Sequence, residues 1–318
     1  MVGLIPASVI ASAPPGSELP VRARRVSPSR EAWRRFCRHK MAVVSLVVLL
    51  AMVLLVVFGP LVWKVAINDI DFGARLKGPS WAHPFGTDDL GQDIFARMLY
   101  GGRISLAVGL AAMMMAILVG VTVGAIAGVS RGAVDAALMW LTDLFLSLPQ
   151  LPLLLLLIYL FRDTLKAAFG PEVGVFIMIV LVIGGFRWMP VARLVRAQFF
   201  SLREKEYVEA ARALGDSTIS VIFRTILPNI IAPLTVIASF NVASVILSEA
   251  SLSFLGLGVP VSVPTWGSML ADSRDQLMAN KWWLALFPGM AIVLTVLSFN
   301  ILGDWLRDFL DPRLKTTG

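Results

Sequence analysis

Residues 201–228, SLREKEYVEAARALGDSTISVIFRTILP, form a charged interruption between two long apolar stretches of the chain. Ser201 and Glu204 have the spacing of a capping box, which predicts that a helix begins at Ser201. Gly215 suits the left-handed backbone that ends a helix, and the three polar residues after it can cap a second helix. Pro228 predicts the end of that second helix, because the residue before a proline disfavours helical geometry. The segment is therefore predicted to be a helix, a turn and a helix.

The chain around this segment is strongly apolar. Of its 318 residues, 57% are hydrophobic and 15% are charged, and the mean hydropathy of +0.79 is far from that of a soluble domain. A membrane-spanning helix needs about 20 largely apolar residues. Six windows meet that requirement: 42–63, 104–129, 136–161, 173–189, 230–256 and 283–303. The composition predicts an all-α, polytopic membrane protein with six transmembrane helices, the fourth of which can continue toward Phe199.

The orientation follows from the basic residues, which are retained on the cytoplasmic side of the membrane in short loops. With both termini inside, nineteen of the 28 Lys and Arg residues lie on the cytoplasmic side and nine outside. The reverse orientation would invert that ratio, so we expect an N-in, C-in topology. Membrane lipid is then a sufficient partner for the net charge of +7, and no nucleic acid is needed to explain it.

The first helix predicted in segment 201–228 has a narrow apolar face. Tyr207, Ala210, Ala211 and Leu214 recur at helical spacing, and charged residues supply much of the remaining surface. One interpretation is an amphipathic helix that lies on lipid. Lipid-surface helices, however, prefer bulky Leu, Phe or Trp on the apolar side, whereas two alanines allow another protein to approach closely. We therefore expect this helix to dock into a partner protein.

Several kinds of catalytic site are not expected. There is no Gly-Lys dipeptide and hence no phosphate-binding loop of the GxxxxGK[ST] type, and two histidines are too few for the HExxH zinc arrangement. A cluster of His83, Asp88, Asp89 and Asp93 lacks the regular ligand spacing of a calcium loop. We expect these four residues to cap turns and helices, and we predict neither a catalytic residue nor a metal site on the chain.

Polar residues on the fifth predicted span form one sector of the helix. Asn241, Ser244, Ser248 and Ser251 fall within about 80° at 100° per residue, and Glu249 flanks them. A charge in the middle of the membrane is costly, so Glu249 is expected to face protein or a water-filled cavity. Two interpretations remain open: the sector lines a translocation path, or it forms a helix–helix interface joined by small polar side chains.

Two other features of the spans predict packing. Gly120, Gly124 and Gly128 have the four-residue spacing that lets helices approach closely. Asp143 lies near the cytoplasmic end of the third span, where snorkelling or a partner on another helix could satisfy it. We expect a structural role for all four residues.

The motif Glu209-Ala210-Ala211, with Gly215 after it and Leu227-Pro228 further on, resembles the EAA loop of permease subunits in bacterial ABC importers. Two further stretches resemble signatures of the dipeptide, oligopeptide and nickel branch of that family, in particular its second permease, the C subunit. They are HPFGTDDLGQD at 83–93, which runs on to GRISL at 102–106, and EASLSFLGLG at 249–258 with Trp266-Gly267 beyond.

The chain departs from that family pattern at three positions. Gln92 and Thr225 replace a usual Arg and Ile, and Trp140 stands where the family often has an Arg. The Trp140 difference removes the usual charge partner of Asp143.

The resemblance implies a type I ABC importer permease (MetI-like) fold in the bacterial cytoplasmic (inner) membrane. It also implies a homologous permease that completes a heterodimer, two ATPase subunits that bind ATP and Mg, and an extracytoplasmic solute-binding protein. In such importers the EAA helix docks on the ATPase, so the residues expected to couple to it are Glu209, Ala210, Ala211, Gly215, Leu227 and Pro228. The chain itself is expected to be a conduit without enzymatic activity or cofactor.

Peptides are the expected cargo, and nickel chelates, glutathione or another small solute are the alternatives within the family. An ion-driven secondary transporter or a structural membrane scaffold is the alternative from another class. The chain is expected to comprise a flexible basic cytoplasmic tail, a first span with an extracytoplasmic segment, a five-helix core that contains a cytoplasmic coupling segment at 190–228, and a C-terminal tail. The boundaries of the four parts are 1–40, 41–102, 103–308 and 309–318.

Overall fold

The computed structural model describes residues 33–34, 36–130, 132–256 and 263–310, and its regular structure in these ranges is helical, without a β-strand. The chain divides into two units at Lys40, and the helices described here belong to the second. Nearly all of the predicted N-terminal tail and residues 311–318 lie outside the described ranges. The helices of the second unit are α1 Lys40–Val62, α2 Ile94–Val129, α3 Ala133–Ser147, α4 Gln150–Phe169, α5 Pro171–Gly184, α6 Trp188–Leu202, α7 Glu206–Ala213, α8 Thr218–Ser220, α9 Leu227–Phe254, α10 Trp266–Asp272, α11 Arg274–Leu277 and α12 Trp283–Leu310.

Among the described residues, four unbroken helical stretches are long and apolar enough to cross a membrane. They are α1, α2, a continuous stretch over Thr218–Phe254, and α12. Two further pairs meet the same test together but are bent, α3 with α4 by 90° and α5 with α6 by 43°. If each pair is one span, the total is six, which agrees with the prediction of an all-α membrane protein.

The third predicted span, 136–161, is broken where a straight helix was expected. Leu148 has extended backbone angles (φ −77°, ψ 139°), and α4 begins two residues later at Gln150. Pro149 explains the break, because the proline ring clashes with a helical conformation at the preceding residue.

The predicted helix start at Ser201 is wrong. α6 continues through Ser201 to Leu202, and α7 begins only at Glu206, after Lys205, which makes no side-chain capping bond. Val195 and Phe199 are buried, so the apolar face of α6 continues toward its C-terminal end and favours helix through Ser201. Burying such side chains contributes about 1.5–3 kcal/mol each, which outweighs the ~1 kcal/mol of a helix cap.

Pro228 does not end a helix, contrary to the prediction. The helix runs on from Thr218 through the π-helical stretch Val221–Ile226 into α9, in which Pro228 occupies the first turn. Proline is tolerated at that position because the backbone N–H that it lacks would be unpaired at a helix start. In the π-helical stretch each N–H bonds to the carbonyl five residues before it, and the N–H of Leu227 donates to the carbonyl of Ile222 in this way. The α-helical hydrogen-bond pattern therefore starts anew at Leu227.

The spacing of Gly120, Gly124 and Gly128 is used for close packing, as predicted, and the partner helix is α6. A Cβ atom added at Gly124 would lie 2.5 Å from the carbonyl oxygen of Ala192, and one at Gly128 would lie 2.4 Å from Cβ of Phe199. Real side chains do not approach so closely, so α2 and α6 touch along their backbones. This contact joins the middle of the bundle to the coupling segment.

Candidate functional site

The coupling segment is anchored to the bundle by one side of α7. Val208 is fully buried in an apolar cluster with Val191 and Phe199 of α6 and Ile226 and Ile230 at the start of the fifth span. A short helix of eight residues is not stable on its own in water. The burial of Val208 therefore holds α7 in a defined position against α6 and α9.

The other side of α7 is open. Tyr207 is 44% and Leu214 is 88% exposed, and Glu209 and Ala210 are also exposed. Two more large apolar side chains, Ile219 and Phe223, are exposed in the helical stretch that follows. Most of the apolar face predicted from the sequence is thus exposed. Ala211 is partly buried beside the Val208 cluster.

The turn after α7 has the geometry predicted for it. Gly215 has φ +91°. The N–H of Asp216 donates to the carbonyl of Ala211 over 3.1 Å, and the N–H of Gly215 donates to the carbonyl of Arg212 over 3.0 Å. This pair of bonds is the Schellman motif, in which glycine occupies the left-handed position. Ser217 caps the next helix by accepting a 3.2 Å bond from the N–H of Ser220. The segment therefore turns sharply between two defined helices.

Arginine side chains tie α6 and the residue after it to the ends of neighbouring helices. Arg196 donates to Asp135 of α3 over 2.6 Å, and Arg203 donates to the carbonyl of Gly128 at the end of α2 over 3.3 Å. Asp143 also has a partner, Arg193, which sequence reasoning missed because the two residues are 50 positions apart. Arg193 thus occupies the charge-partner role that Trp140 leaves vacant.

The predicted polar sector of the fifth span divides into two environments. Glu249 is 1% exposed, and it accepts hydrogen bonds from Ser253 over 2.8 Å and from Ser105 of α2 over 3.3 Å. Asn241 is also buried in the bundle. Ser244 and Ser248, by contrast, line a cavity of about 310 Å³ between α9 and the bends of the two broken spans. Ser244 and Ser248 thus face a cavity, whereas Glu249 and Asn241 are buried within the bundle.

The acidic cluster before α2 forms turns and a helix cap. Asp93 accepts a 2.8 Å bond from the N–H of Ala96 and faces His83 Nδ1 at 2.8 Å. Asp88 accepts bonds from the N–H groups of the loop that follows it. The pKa of the Asp88 carboxyl lies above its ordinary value, because burial raises it by more than the hydrogen bond from the Gln92 N–H lowers it. No group of three or more potential metal-ligating side chains in the described ranges has an arrangement that could hold a metal ion.

Residues 128–132, GVSRG, match the GxSxG pattern of hydrolase nucleophiles. In hydrolases that serine sits on a turn between a strand and a helix. Ser130 instead caps the C-terminal end of α2, with its N–H bonded to the carbonyl of Ile126. The pattern here ends a transmembrane helix and lacks the hydrolase geometry.

Two family models match the chain. The model for the binding-protein-dependent transport system inner membrane component covers residues 120–316, and that for the N-terminal TM domain of oligopeptide transport permease C covers residues 27–79. The first match includes α6, the coupling segment and the fifth and sixth spans.

Related proteins align over most of the chain. The dipeptide transport system permease protein DppC of Alkalihalophilus pseudofirmus is 40% identical over 92% of this chain and 92% of its own length. The oligopeptide transport system permease protein OppC of Escherichia coli K12 is 41% identical over 89% of this chain and 91% of its own.

The fold is similar to that of a chain in the inward-facing MetNI methionine ABC transporter, with a TM-score of 0.51 and 16% identity over 66% of this chain and 95% of that one. The fold is therefore MetI-like, as expected. The chain belongs to the family of inner membrane components of binding-protein-dependent transport systems.

Proposed function

We propose that this chain is the permease subunit of an ATP-driven importer that moves peptides across the inner membrane, and that α7 and the turn at Gly215 couple it to an ATP-hydrolysing partner. The relatives at about 40% identity are named for dipeptide and oligopeptide transport, which supports peptide as the cargo. The family name itself supports dependence on a solute-binding protein. A homologous permease and two ATPase subunits complete the proposed assembly.

The observation that carries the coupling proposal is the two-sided character of α7. Its inner side is held by the buried Val208 against α6 and the start of the fifth span, and its outer side exposes Tyr207, Ala210 and Leu214. A partner that grips the outer side and moves would shift the helices attached to the inner side. The ATPase can change the state of the permease only if it contacts the two states differently. Because α7 is anchored to α6 and α9, its position changes when these helices move, and its contact with the ATPase changes with it.

The coupling role of the turn can be tested by replacing Gly215 with valine. A β-branched residue at φ +91° strains the backbone, while no other atom lies within 4 Å of the position where its Cβ would be. We expect Gly215→Val to reach the membrane but to redirect α7, so that the reconstituted assembly hydrolyses ATP without proportionate peptide uptake. The measurement is the ratio of uptake to ATP hydrolysis in proteoliposomes.

Gly170→Val is the matched control. Gly170 has φ +85° and equally open surroundings, but it lies between α4 and α5, on the predicted extracytoplasmic side. We expect this variant to keep a normal ratio. A normal ratio in Gly215→Val would refute the coupling assignment, and uptake that persists without any ATPase subunit would favour an ion-driven secondary transporter.

A further inference from the structure

Arg187 occupies an unusual position in the chain, at the break between α5 and α6. Its neighbour Trp188 lies against α2 well inside the bundle, because a Cβ added at Gly120 would be 2.8 Å from the Trp188 carbonyl oxygen. Gly120 is in the body of the second span. Arg187 also falls near the end of the predicted fourth span, 173–189, so its guanidinium group is expected to face protein or a water-filled cavity.

The partners of Arg187 are neutral. Nη2 donates to the hydroxyl of Ser248 over 2.8 Å and to the carbonyl of Ser244 over 3.4 Å. The N–H at Nε is buried and has no hydrogen-bond acceptor. In the part of the chain that the structure describes, no carboxylate lies within 4.0 Å of this guanidinium. Other arginines of the same bent span, Arg193 and Arg196, each pair with an aspartate.

Arg187 faces the cavity of about 310 Å³ that the predicted polar sector of the fifth span lines. Ser248 and Ser251 contribute hydroxyl groups to the walls, and Gln150 contributes an amide from the start of α4. Cavities of roughly 300–1,000 Å³ with a few convergent polar groups are typical of small-ligand sites. Both breaks in the spans, at Pro149 and at Arg187, thus bring polar groups to the same place.

We propose that Arg187 forms a carboxylate-binding subsite on the translocation path and that it contacts the C-terminal carboxylate of the transported peptide. This inference rests on the proposed peptide-import function. A guanidinium group matches a carboxylate in geometry and charge, and an arginine that pairs with no carboxylate of the described residues leaves that interaction available. The bonds to Ser248 and Ser244 hold the side chain in place, and the absence of a fixed counter-ion lets the cargo supply the negative charge transiently.

A fixed ion pair with the second permease is the alternative occupant of this site, and its loss would affect transport of charged and uncharged peptides equally. The hydroxyl and amide groups around Arg187 give a transient ligand further hydrogen-bonding partners. Conduction requires sites that bind the cargo and also release it. The combination of cavity, hydroxyl groups and unpaired cation meets that requirement.

The test uses the complete assembly in proteoliposomes and compares radiolabelled trialanine with trialanine amide, which lacks the terminal charge. We expect Arg187→Gln to lower the initial rate of trialanine uptake by about tenfold or more, since hydrogen bonds to charged groups are among the stronger ones. Uptake of the amide should change by less than about threefold. The solute-binding protein is the same in each comparison, so its own preference cancels in the ratio of variant to unmodified rates. Arg193→Gln is the matched control, because it removes a charge from the same bent span outside the cavity, and both peptides should respond to it equally.

A second measurement uses chemical rescue in a background without the natural cysteine, Cys37→Ser, which leaves the chain free of thiols. Arg187→Cys is treated with either aminoethyl or sulfonatoethyl methanethiosulfonate. The reagent that restores a positive charge should recover trialanine uptake severalfold, and the one that adds a negative charge should not.

Three results would overturn the inference. Equal losses of both peptides in Arg187→Gln, or equal effects of the two reagents, would show that Arg187 has a structural or partner-pairing role and would leave the peptide function standing. Failure of the unmodified assembly to take up either peptide would refute the proposed function, and the inference with it. If the amide is not taken up by any assembly, the rescue experiment on trialanine alone decides.

Discussion

At the scale of single residues, Glu249 shows how a membrane protein uses a buried carboxyl group. The side chain joins three parts of the bundle, because it bonds to Ser253 of its own helix and to Ser105 of α2, and Ser105 accepts a 3.3 Å bond from the N–H of Trp266 at the start of α10. Each hydroxyl in the group has a partner. Such a network holds α10 against the outer ends of two spans.

Replacement of Glu249 by alanine should destabilise the chain. The change leaves buried hydroxyl groups unpaired and opens a cavity, and an unpaired buried group costs about 1–3 kcal/mol. We expect Glu249→Ala to lower the midpoint of thermal unfolding of the detergent-solubilised assembly. Glu249→Gln keeps the shape and one oxygen acceptor, so its midpoint should lie much closer to the unmodified value. Equal midpoints for Glu249→Ala and the unmodified chain would contradict the structural role.

At the scale of helices, the contact between α2 and α6 connects the coupling segment with the bundle. Glycines of α2 admit the backbone of α6, and from Phe199 onward the same apolar cluster includes Val208 of α7. Arg196 and Arg203 fasten the end of α6 to α3 and α2. A displacement of α7 therefore reaches α2 and α6 together, because the elements share one packed surface.

A larger residue at Gly124 should separate these two helices. Its Cβ would meet the backbone oxygen of Ala192 at 2.5 Å and Cβ of Val195 at 2.7 Å, and a backbone contact cannot relax as the tip of a flexible side chain can. We expect Gly124→Leu to cost about 1–3 kcal/mol or more and to reduce the yield of folded, assembled transporter in detergent chromatography. Thr122→Leu introduces the same side chain at an exposed position two residues away, and its yield should be unchanged. Similar yields for the two variants would contradict the close packing.

At the scale of the whole molecule, the chain has four unbroken candidate spans and two bent pairs, and if each pair is one span, α7 and the α4–α5 connection lie on opposite sides of the membrane. α4 ends at Phe169 and α5 begins at Pro171, so one bent span turns directly into the next at Gly170. α7 and the turn at Gly215 lie at the far end of the second bent pair, after α6. In the predicted N-in, C-in topology, α7 faces the cytoplasm, the side from which the proposed ATPase partner would reach its exposed apolar side chains.

This topology can be checked by labelling single cysteines in the Cys37→Ser background. Lys205 and Ala168 are both exposed, the first just before α7 and the second near the end of α4. A membrane-impermeant maleimide added to intact cells should label Ala168→Cys and not Lys205→Cys, and opening the membrane should make both accessible. Labelling of Lys205→Cys in intact cells would reverse the topology and remove the coupling proposal.

Local patterns made much of this structure predictable. The apolar windows located the spans, since a bilayer requires about 20 apolar residues whatever the surrounding fold. Gly215 and Ser217 behave as expected because a left-handed glycine turn and a serine cap depend only on neighbouring backbone atoms. The helix predicted to start at Ser201 failed because the capping signal competed with the burial of Phe199, a contact with a distant part of the chain. Pro149 carried a local signal for the break in the third span that the window of apolar residues concealed.

The sequence by itself determined that the chain is helical and membrane-embedded, which family it belongs to, and where the turn at Gly215 lies, because composition, spacing and local backbone preferences decide these properties. Only the tertiary structure decided which residues meet. It divided the polar sector of the fifth span between a helix contact at Glu249 and a cavity at Ser248, paired Asp143 with Arg193, and left Arg187 beside that cavity with no carboxylate partner among the described residues. These contacts join residues up to 144 positions apart, and no local pattern encodes which helices will pack together.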